Sequence, residues 1–211
     1  MKKSISALAV VAILAGTPII ALSQIPSLSG FGSKLGGGGD LAGQQTNLVK
    51  SYTAGGKDVL SSQSKLLEAL GLKDQAATAQ ATANALGDGA TAQNLQDANK
   101  VQSDSSTALS DALKNQNATL DAQSKQTYTQ GLVLLASGLI KYTGMKQDVA
   151  GFSKGLAGPG ALQAGTKLQA GAYIVKTLPS SISNTSSTLS SAVSFAKSHG
   201  IEVPADATAA L

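Results

Sequence analysis

Hydrophobic residues recur at helical spacing from residue 40 onward, and no segment alternates apolar and polar residues as a half-buried strand does. Between residues 40 and 70 they keep to one helical face, at steps of seven and four: Leu41, Leu48, Tyr52, Val59, Leu66 and Leu70. Asp40 suits the N-cap of this helix, and Gly71 suits the left-handed position after its end. Gly55 and Gly56 are candidates for a bend or a break within it. The pattern predicts an all-α fold.

Later helices are predicted with the same spacing, at 73–86, over 90–157, at about 161–178 and at about 181–199. The span 90–157 contains no proline and no turn cluster, so it forms either one helix or two, with a break near 114–117 or at Gly131. Gly-Pro-Gly at 158–160 marks a turn, and Pro179 is expected to break or kink the last helical region. Helices joined by short loops favour an elongated antiparallel bundle of four or five helices.

The first residues have the three parts of a secretory signal peptide. Lys2 and Lys3 form a positive end, an apolar core follows, and Ala21 with Ser23 fits a cleavage site before Gln24. This predicts a signal peptide over 1–23, a flexible Gly/Ser-rich lead over 24–39, a helical bundle domain over 40–200 and a C-terminal tail over 201–211. The sequence has no cysteine, so it lacks a lipid-attachment site and disulfides. The expected location is the periplasm or the extracellular medium.

The stretch from residue 131 to residue 152 is the most apolar part of the chain beyond the predicted signal peptide. A membrane-spanning helix needs about 20 apolar residues, but only ten residues, Gly131–Ile140, precede Lys141. Apolar side chains instead form a stripe at steps of three and four: Tyr128, Leu132, Leu135, Leu139, Tyr142, Met145, Val149, Phe152 and Leu156. The stripe predicts a helix packed in a protein core. The alternative is a membrane-active or lipid-binding bundle that exposes this stretch at a bilayer.

Glycines accompany the stripe along one side, and they are the candidate interface residues: Gly131, Gly138, Gly144, Gly151 and Gly155. Each glycine costs about 1 kcal/mol relative to alanine inside a helix. They are expected to form a smooth face that another helix approaches closely, supplied by the helix after the Gly-Pro-Gly turn or by a second copy of the chain. The competing interpretation is a poor helix that breaks at glycine. Leucine at Gly138 or at Gly151 is therefore expected to lower stability or break an oligomer.

Charge and aromatic content argue against a nucleic-acid partner. All 16 basic residues are lysine, and removing Lys2 and Lys3 leaves 14 lysines against 12 acidic residues, a net charge of +2. The chain has no arginine or tryptophan and only 4 tyrosines and 3 phenylalanines. It therefore lacks the arginine fork that binds phosphate and guanine bidentately and has few rings that could stack on bases, so base stacking and base-edge reading are not expected.

Titratable side chains do not converge on a pattern typical of an active site. The only histidine, His199, precedes Gly200 at a predicted helix end, where a capping role is expected. Two S-x-x-K matches begin at Ser62 and Ser194 but lack the companion motifs of penicillin-recognising enzymes. Three aspartates share one helical face with lysines between them, as on a solvated surface: Asp97, Asp104 and Asp111. No catalytic residue, cofactor or metal site is predicted.

The sequence thus favours a non-enzymatic exported helical protein of the bacterial envelope that acts by surface contact, as an assembly component, an adaptor or a binder of another envelope component. A protein partner or self-association is expected. The contact surfaces are expected to be the glycine face and the helix surfaces rich in Ser, Thr, Gln and Asn. Membrane contact is disfavoured, and an enzyme that uses Ser, Lys or Asp is the least favoured alternative.

Overall fold

The computed structural model describes residues 40–115, 119–158 and 165–211. The predicted signal peptide and the predicted lead lie outside these residues. Within the described ranges the chain is all-α, without a strand. The all-α prediction is therefore confirmed.

The helices are α1 Leu41–Ala69, α2 Lys73–Ala85, α3 Ala92–Leu113, α4 Ala122–Gly144, α5 Lys146–Leu156, α6 Gln169–Ser198 and α7 Ala205–Ala209. A 3-10 turn, Gly165–Leu168, leads into α6. The predicted number of four or five helices is too low for the described residues. Two differences raise the number: the span 90–157 divides into three helices, and a short helix, α7, follows α6. One difference lowers it, because the regions predicted at about 161–178 and 181–199 share one helix, α6.

The ends of α1 form as local sequence predicts. Asp40 Oδ1 accepts a hydrogen bond from Gly43 N at 2.7 Å. Gly71 has a φ of 81°, and Leu72 N donates to Leu67 O at 2.8 Å, as in a Schellman stop. In contrast, the break considered at Gly55 and Gly56 is not observed, because both glycines lie inside the continuous α1 helix.

The later helix boundaries correct two expectations. Of the two predicted break points, the one near 114–117 is right, because α3 ends at Leu113, whereas Gly131 lies inside α4. A further break at Met145 separates α4 from α5. Pro179 does not end a helix, since α6 runs through it. Pro179 is exposed while Leu178 beside it is buried, and core packing on this face outweighs the lost backbone hydrogen bond.

Helix α4 runs antiparallel to α1. Gly131, in the first half of α4, contacts Ser62 in the second half of α1, and Gly138 contacts Gly55 nearer its start. Helix α5 then continues along the beginning of α1.

Helix α6 returns in the direction of α1. It starts beside the first turns of α1, where Gly171 N donates to Gln45 Oε1 at 3.0 Å. It ends beside the start of α4, where Tyr128 OH donates to Ala192 O at 3.0 Å. Helices α4 and α5 are therefore enclosed between two helices that run opposite to them.

The apolar stripe lies in the core of the protein. Buried members are Tyr128, Leu132, Leu135, Leu139, Tyr142, Met145 and Phe152, and half-buried members are Val149 and Leu156. Burial of each large apolar side chain contributes about 1.5–3 kcal/mol before entropy. The predicted core stripe is confirmed. Among the described helices, none has both the length and the apolar character that a membrane crossing requires.

Candidate functional site

Two of the candidate interface glycines face α1 of the same chain. A Cβ atom at Gly138 would lie 2.6 Å from Val59 Cγ2 and 3.1 Å from Gly55 O. A Cβ atom at Gly131 would lie 2.8 Å from Leu66 Cγ. Such distances leave no room for a side chain, so these glycines permit the close approach of the α1 and α4 backbones.

The other three candidate glycines do not continue the close contact between the α1 and α4 backbones. Gly155 faces the Leu41 side chain at the start of α1, whereas Gly144 and Gly151 have no atom within 4 Å of an added Cβ. Within the described residues, α6 does not supply the facing glycine surface, because its Gly171 meets the ring of Phe152. The first residues of the helix predicted at about 161–178, and most of the predicted Gly-Pro-Gly turn, lie outside the described residues. The described partner of the glycine face is therefore α1.

A polar groove lies between α3 and α6 and is here called the α3–α6 groove. Its deepest section, the cleft, has a volume of about 190 Å³. A middle section of about 410 Å³ and a distal section of about 440 Å³ follow along the same two helices. The cleft and the middle section share Ser103, Ser106 and Asn184, and the middle and distal sections share Ser110 and Ser191. The groove is thus continuous and is lined largely by hydroxyl and amide groups.

Gln63 of α1 lines the cleft and is 1% exposed. Its Nε2 donates to Gln102 O at 2.9 Å and to Ser106 Oγ at 2.8 Å. Its Oε1 is buried and accepts no hydrogen bond from the described residues. One buried acceptor beside the cleft is therefore unsatisfied within the described residues.

A tyrosine network supports the cleft from behind. Asn99, which lines the cleft, donates from Nδ2 to Tyr52 OH at 2.8 Å and to Tyr173 OH at 2.7 Å. Tyr52 OH also shares a hydrogen bond of 2.8 Å with Ser181 Oγ. Burial raises the pKa of Tyr52 above its usual range. Tyr52 is therefore neutral at physiological pH, and the hydrogen bonds of the network fix the position of Asn99.

Gln102, which also lines the cleft, links it to Tyr142 of α4. Its Nε2 donates to Tyr142 OH at 3.2 Å and lies 3.4 Å from Gly56 O. Burial raises the pKa of Tyr142 well above its usual range. The side chains that form the cleft are all uncharged, since its lining consists of Val59 and residues of the Ser, Thr, Asn and Gln types.

The distal section ends at a stack of rings. The His199 ring lies 3.8 Å from the Phe195 ring, and Phe195 lies 5.6 Å from Tyr128. His199 is the C-cap residue of α6, and its Nδ1 hydrogen bonds to Phe195 O at 2.9 Å. Lys125 Nζ donates to His199 O at 3.0 Å. This agrees with the expected capping role and places the half-buried His199 ring at the end of the groove, over a Phe195 side chain that is 4% exposed.

No protein-family model, curated protein or solved structure matches the chain.

The acidic and S-x-x-K candidates do not form a reactive site. Asp97, Asp104 and Asp111 are exposed, and the described residues contain no group of three or more His, Asp or Glu side chains that could hold a metal ion. Ser62 Oγ donates to Gly131 O at 2.7 Å, while Lys65 bonds to Gln130, so this serine and lysine do not meet. Ser194 Oγ likewise donates to a backbone carbonyl in α6.

Sequence reasoning missed the polar side chains of the cleft, although a signal for one of them exists. Gln102 occupies the buried face of α3 between Ala98 and Leu109. A large amide at an apolar position of a helical pattern indicates a buried hydrogen-bonding role. The position of Gln63 beside Ser106 depends on the packing of α1 against α3 and has no local signal.

A second polar cluster joins α1 to α4. Asp58 Oδ2 accepts hydrogen bonds from Ser137 Oγ and from Lys141 Nζ, both at 2.6 Å.

We expect Asp58→Ala to lower the free energy of unfolding by about 1–2 kcal/mol, because it leaves a half-buried hydroxyl and a lysine without their acceptor. Urea denaturation measures this change. Asp104→Ala is the matched control, since its ion pair with Lys100 is exposed, and we expect it to change the free energy of unfolding far less than Asp58→Ala does. Equal effects of the two variants would contradict a structural role for Asp58.

Proposed function

We propose that the protein is a non-enzymatic, exported helical protein of the bacterial envelope that binds another envelope component through the α3–α6 groove. Export rests on the signal peptide predicted over 1–23. The proposed architecture is an elongated antiparallel bundle in which α4 and α5 follow each other as one helical segment that is interrupted at Met145. The observation that carries the proposal is the continuous groove of hydroxyl and amide groups along two long helices.

The chemistry of the groove favours binding over catalysis. Its deep section contains amides, hydroxyls and neutral phenols behind them, none of which is arranged as a nucleophile with an adjacent base. Charged groups occur at the exposed rim, where Lys114 pairs with Asp111 at 2.7 Å. Such a surface presents many hydrogen-bond donors and acceptors in fixed positions.

Co-sedimentation with isolated envelope fragments tests the proposed function. We expect the purified mature protein, residues 24–211, to sediment with the envelope and Ser187→Trp to weaken this binding by roughly tenfold or more, which corresponds to about 1.4 kcal/mol. Ser187 is exposed and lines the middle section of the groove. Ser183→Trp is the matched control on an exposed position of α6 outside that lining. Failure of the parent protein to sediment, or equal binding of both variants, would contradict the proposal.

A cell fractionation experiment tests export separately. We expect the protein in the periplasmic or extracellular fraction, with Gln24 as its first residue. A cytoplasmic protein that keeps residues 1–23 would contradict the proposed location.

A further inference from the structure

The C-terminal tail, residues 201–211, folds back onto the beginning of α4. Lys125 Nζ of α4 donates to His199 O at 3.0 Å, just before the tail. Thr129 Oγ1, one turn further along α4, shares its one hydrogen between Lys125 O and Glu202 O, both at 3.1 Å. The short helix α7 of the tail then contacts α4 and α6. Helix α4 therefore carries a site that holds this segment by its backbone carbonyl groups.

Few apolar side chains anchor the tail in this site, which is here called the α4 tail site. The buried residues of the tail are Ile201 and Ala207, and the half-buried ones are Val203 and Ala210. Only one of the two buried side chains is large, so the tail removes little apolar area from water. Segments with few buried apolar contacts open locally before the rest of a fold does. The tail is therefore able to leave its site while the bundle stays folded.

Gly200 joins α6 to the tail in a backbone conformation that favours glycine. Its φ is 60°, and Ile201 N donates to Ala196 O at 2.9 Å, so α6 ends in a Schellman stop. This turn directs the tail toward α4 of its own chain. A residue with a Cβ atom disfavours the left-handed conformation by roughly tenfold. The path of the tail thus depends on one residue.

We infer that the α4 tail site also takes the tail of a second copy of this chain, so that two molecules associate by exchanging their tails. The second copy fits the site because its tail offers the same carbonyl groups and the same buried side chains. Exchange keeps the contacts between tail and α4 and changes the path of the chain at Gly200, which makes it a low-cost route to a dimer. The inference goes beyond the proposed function and does not depend on the α3–α6 groove.

Substitution of Gly200 tests the exchange. Gly200→Ala disfavours the closed turn but leaves the site intact, because an added Cβ would lie 3.8 Å from Lys125 Nζ, an ordinary contact distance. We expect the dissociation constant of the dimer, measured by sedimentation equilibrium on residues 24–211, to fall by roughly tenfold or more, since both exchanged chains avoid the unfavourable turn. Gly200→Asn should give an intermediate value, because asparagine tolerates a positive φ better than alanine does.

Gly71→Ala is the matched control. Gly71 ends α1 in the same kind of stop, with a φ of 81° and a hydrogen bond from Leu72 N to Leu67 O, and an added Cβ there has no neighbour within 4 Å. The two alanine variants should therefore lower the urea midpoint of the monomer by similar amounts. We expect no dimer from Gly71→Ala, because the segment that follows it, α2, is connected to the bundle at both ends. Circular dichroism shows whether both variants fold.

Paired substitutions in α7 distinguish tail exchange from other modes of self-association. Ala207 is fully buried, whereas Ala209 in the same short helix is exposed. An aspartate at position 207 would bring a charge into an apolar position of the site. In combination with Gly200→Ala, we expect Ala207→Asp to abolish the dimer and Ala209→Asp to preserve it.

Three results would overturn the inference: a folded Gly200→Ala that associates no more tightly than the parent, a Gly71→Ala dimer of equal affinity, or a Gly200→Ala dimer that Ala207→Asp does not weaken. If Gly200→Ala fails to fold, Gly200→Asn is judged by the same three criteria.

Discussion

Replacement of Gly138 by leucine is expected to lower the free energy of unfolding by more than about 3 kcal/mol or to prevent folding. The first atom of any side chain at this position would lie 2.6 Å from Val59 Cγ2 and 3.1 Å from Gly55 O. The second of these neighbours is backbone, so α1 and α4 must move apart to admit the leucine. Because these helices carry much of the core, their separation loosens the packing of many buried side chains. Urea denaturation followed by circular dichroism measures the change.

Gly151→Leu is the matched control for this prediction. Gly151 also lies inside a helix of the same glycine series, but an added Cβ there has no neighbour within 4 Å. We expect the variant to be as stable as the parent or more stable by about 0.5–1 kcal/mol, because leucine is the better helix former. This corrects the expectation from sequence that both leucines lower stability. Equal destabilisation by the two substitutions would show that the α1–α4 contact is not the reason for the glycines.

Alkaline pH is expected to unfold the protein through its buried tyrosines. Burial raises the pKa of Tyr52, Tyr128 and Tyr142, so the folded protein keeps these phenols protonated when the unfolded chain loses the proton. The stability they provide is complete below about pH 10, the ordinary pKa of tyrosine, and is lost as pH rises above it. Each tyrosine that stays protonated only in the folded protein contributes up to about 1.4 kcal/mol per pH unit in that range, and the three together up to about 4 kcal/mol per pH unit.

Urea denaturation at a series of alkaline pH values, with tyrosinate absorbance recorded in parallel, measures this dependence. Tyr128→Phe is the informative variant: it loses the hydrogen bond to Ala192 O and so starts from a lower stability, but its slope above about pH 10 should be about one third smaller. A free energy of unfolding that is constant across this range, or an unchanged slope in Tyr128→Phe, would contradict the burial of these phenols.

Local sequence signals predicted the helix ends and the core face well. The cap at Asp40 and the stop at Gly71 depend on residues within a few positions of each other, and the stripe from Tyr128 to Leu156 follows from helical geometry alone. Of the break or kink expected at Pro179, the break is absent, because the cost of a proline inside a helix is local, whereas the burial of Ile174 and Leu178 that offsets it is tertiary.

The contact partner of the glycine face and the position of the α3–α6 groove could not be predicted from the sequence. Gly138 and Gly151 look alike in sequence, and the difference between them is the presence of α1, whose contacting residues lie about 80 positions earlier in the chain. The helix surfaces rich in Ser and Thr were expected to be contact surfaces. The Ser- and Thr-rich surfaces of α3 and α6 lie beside each other, and Gln63 of α1 lies behind them. This arrangement depends on contacts between residues far apart in the chain, so no local sequence pattern predicts it.

Thiol accessibility tests most directly whether the apolar stripe of α4 is buried inside a single folded chain. The protein has no cysteine, so a single substitution introduces one reporter. Leu135 is fully buried and Ile140, on the same helix, is 51% exposed. We expect a maleimide to label the Ile140→Cys variant rapidly and the Leu135→Cys variant only after denaturant is added, with or without lipid vesicles. Equal labelling rates in the native protein, or exposure of the Leu135→Cys thiol when vesicles are added, would contradict the buried stripe.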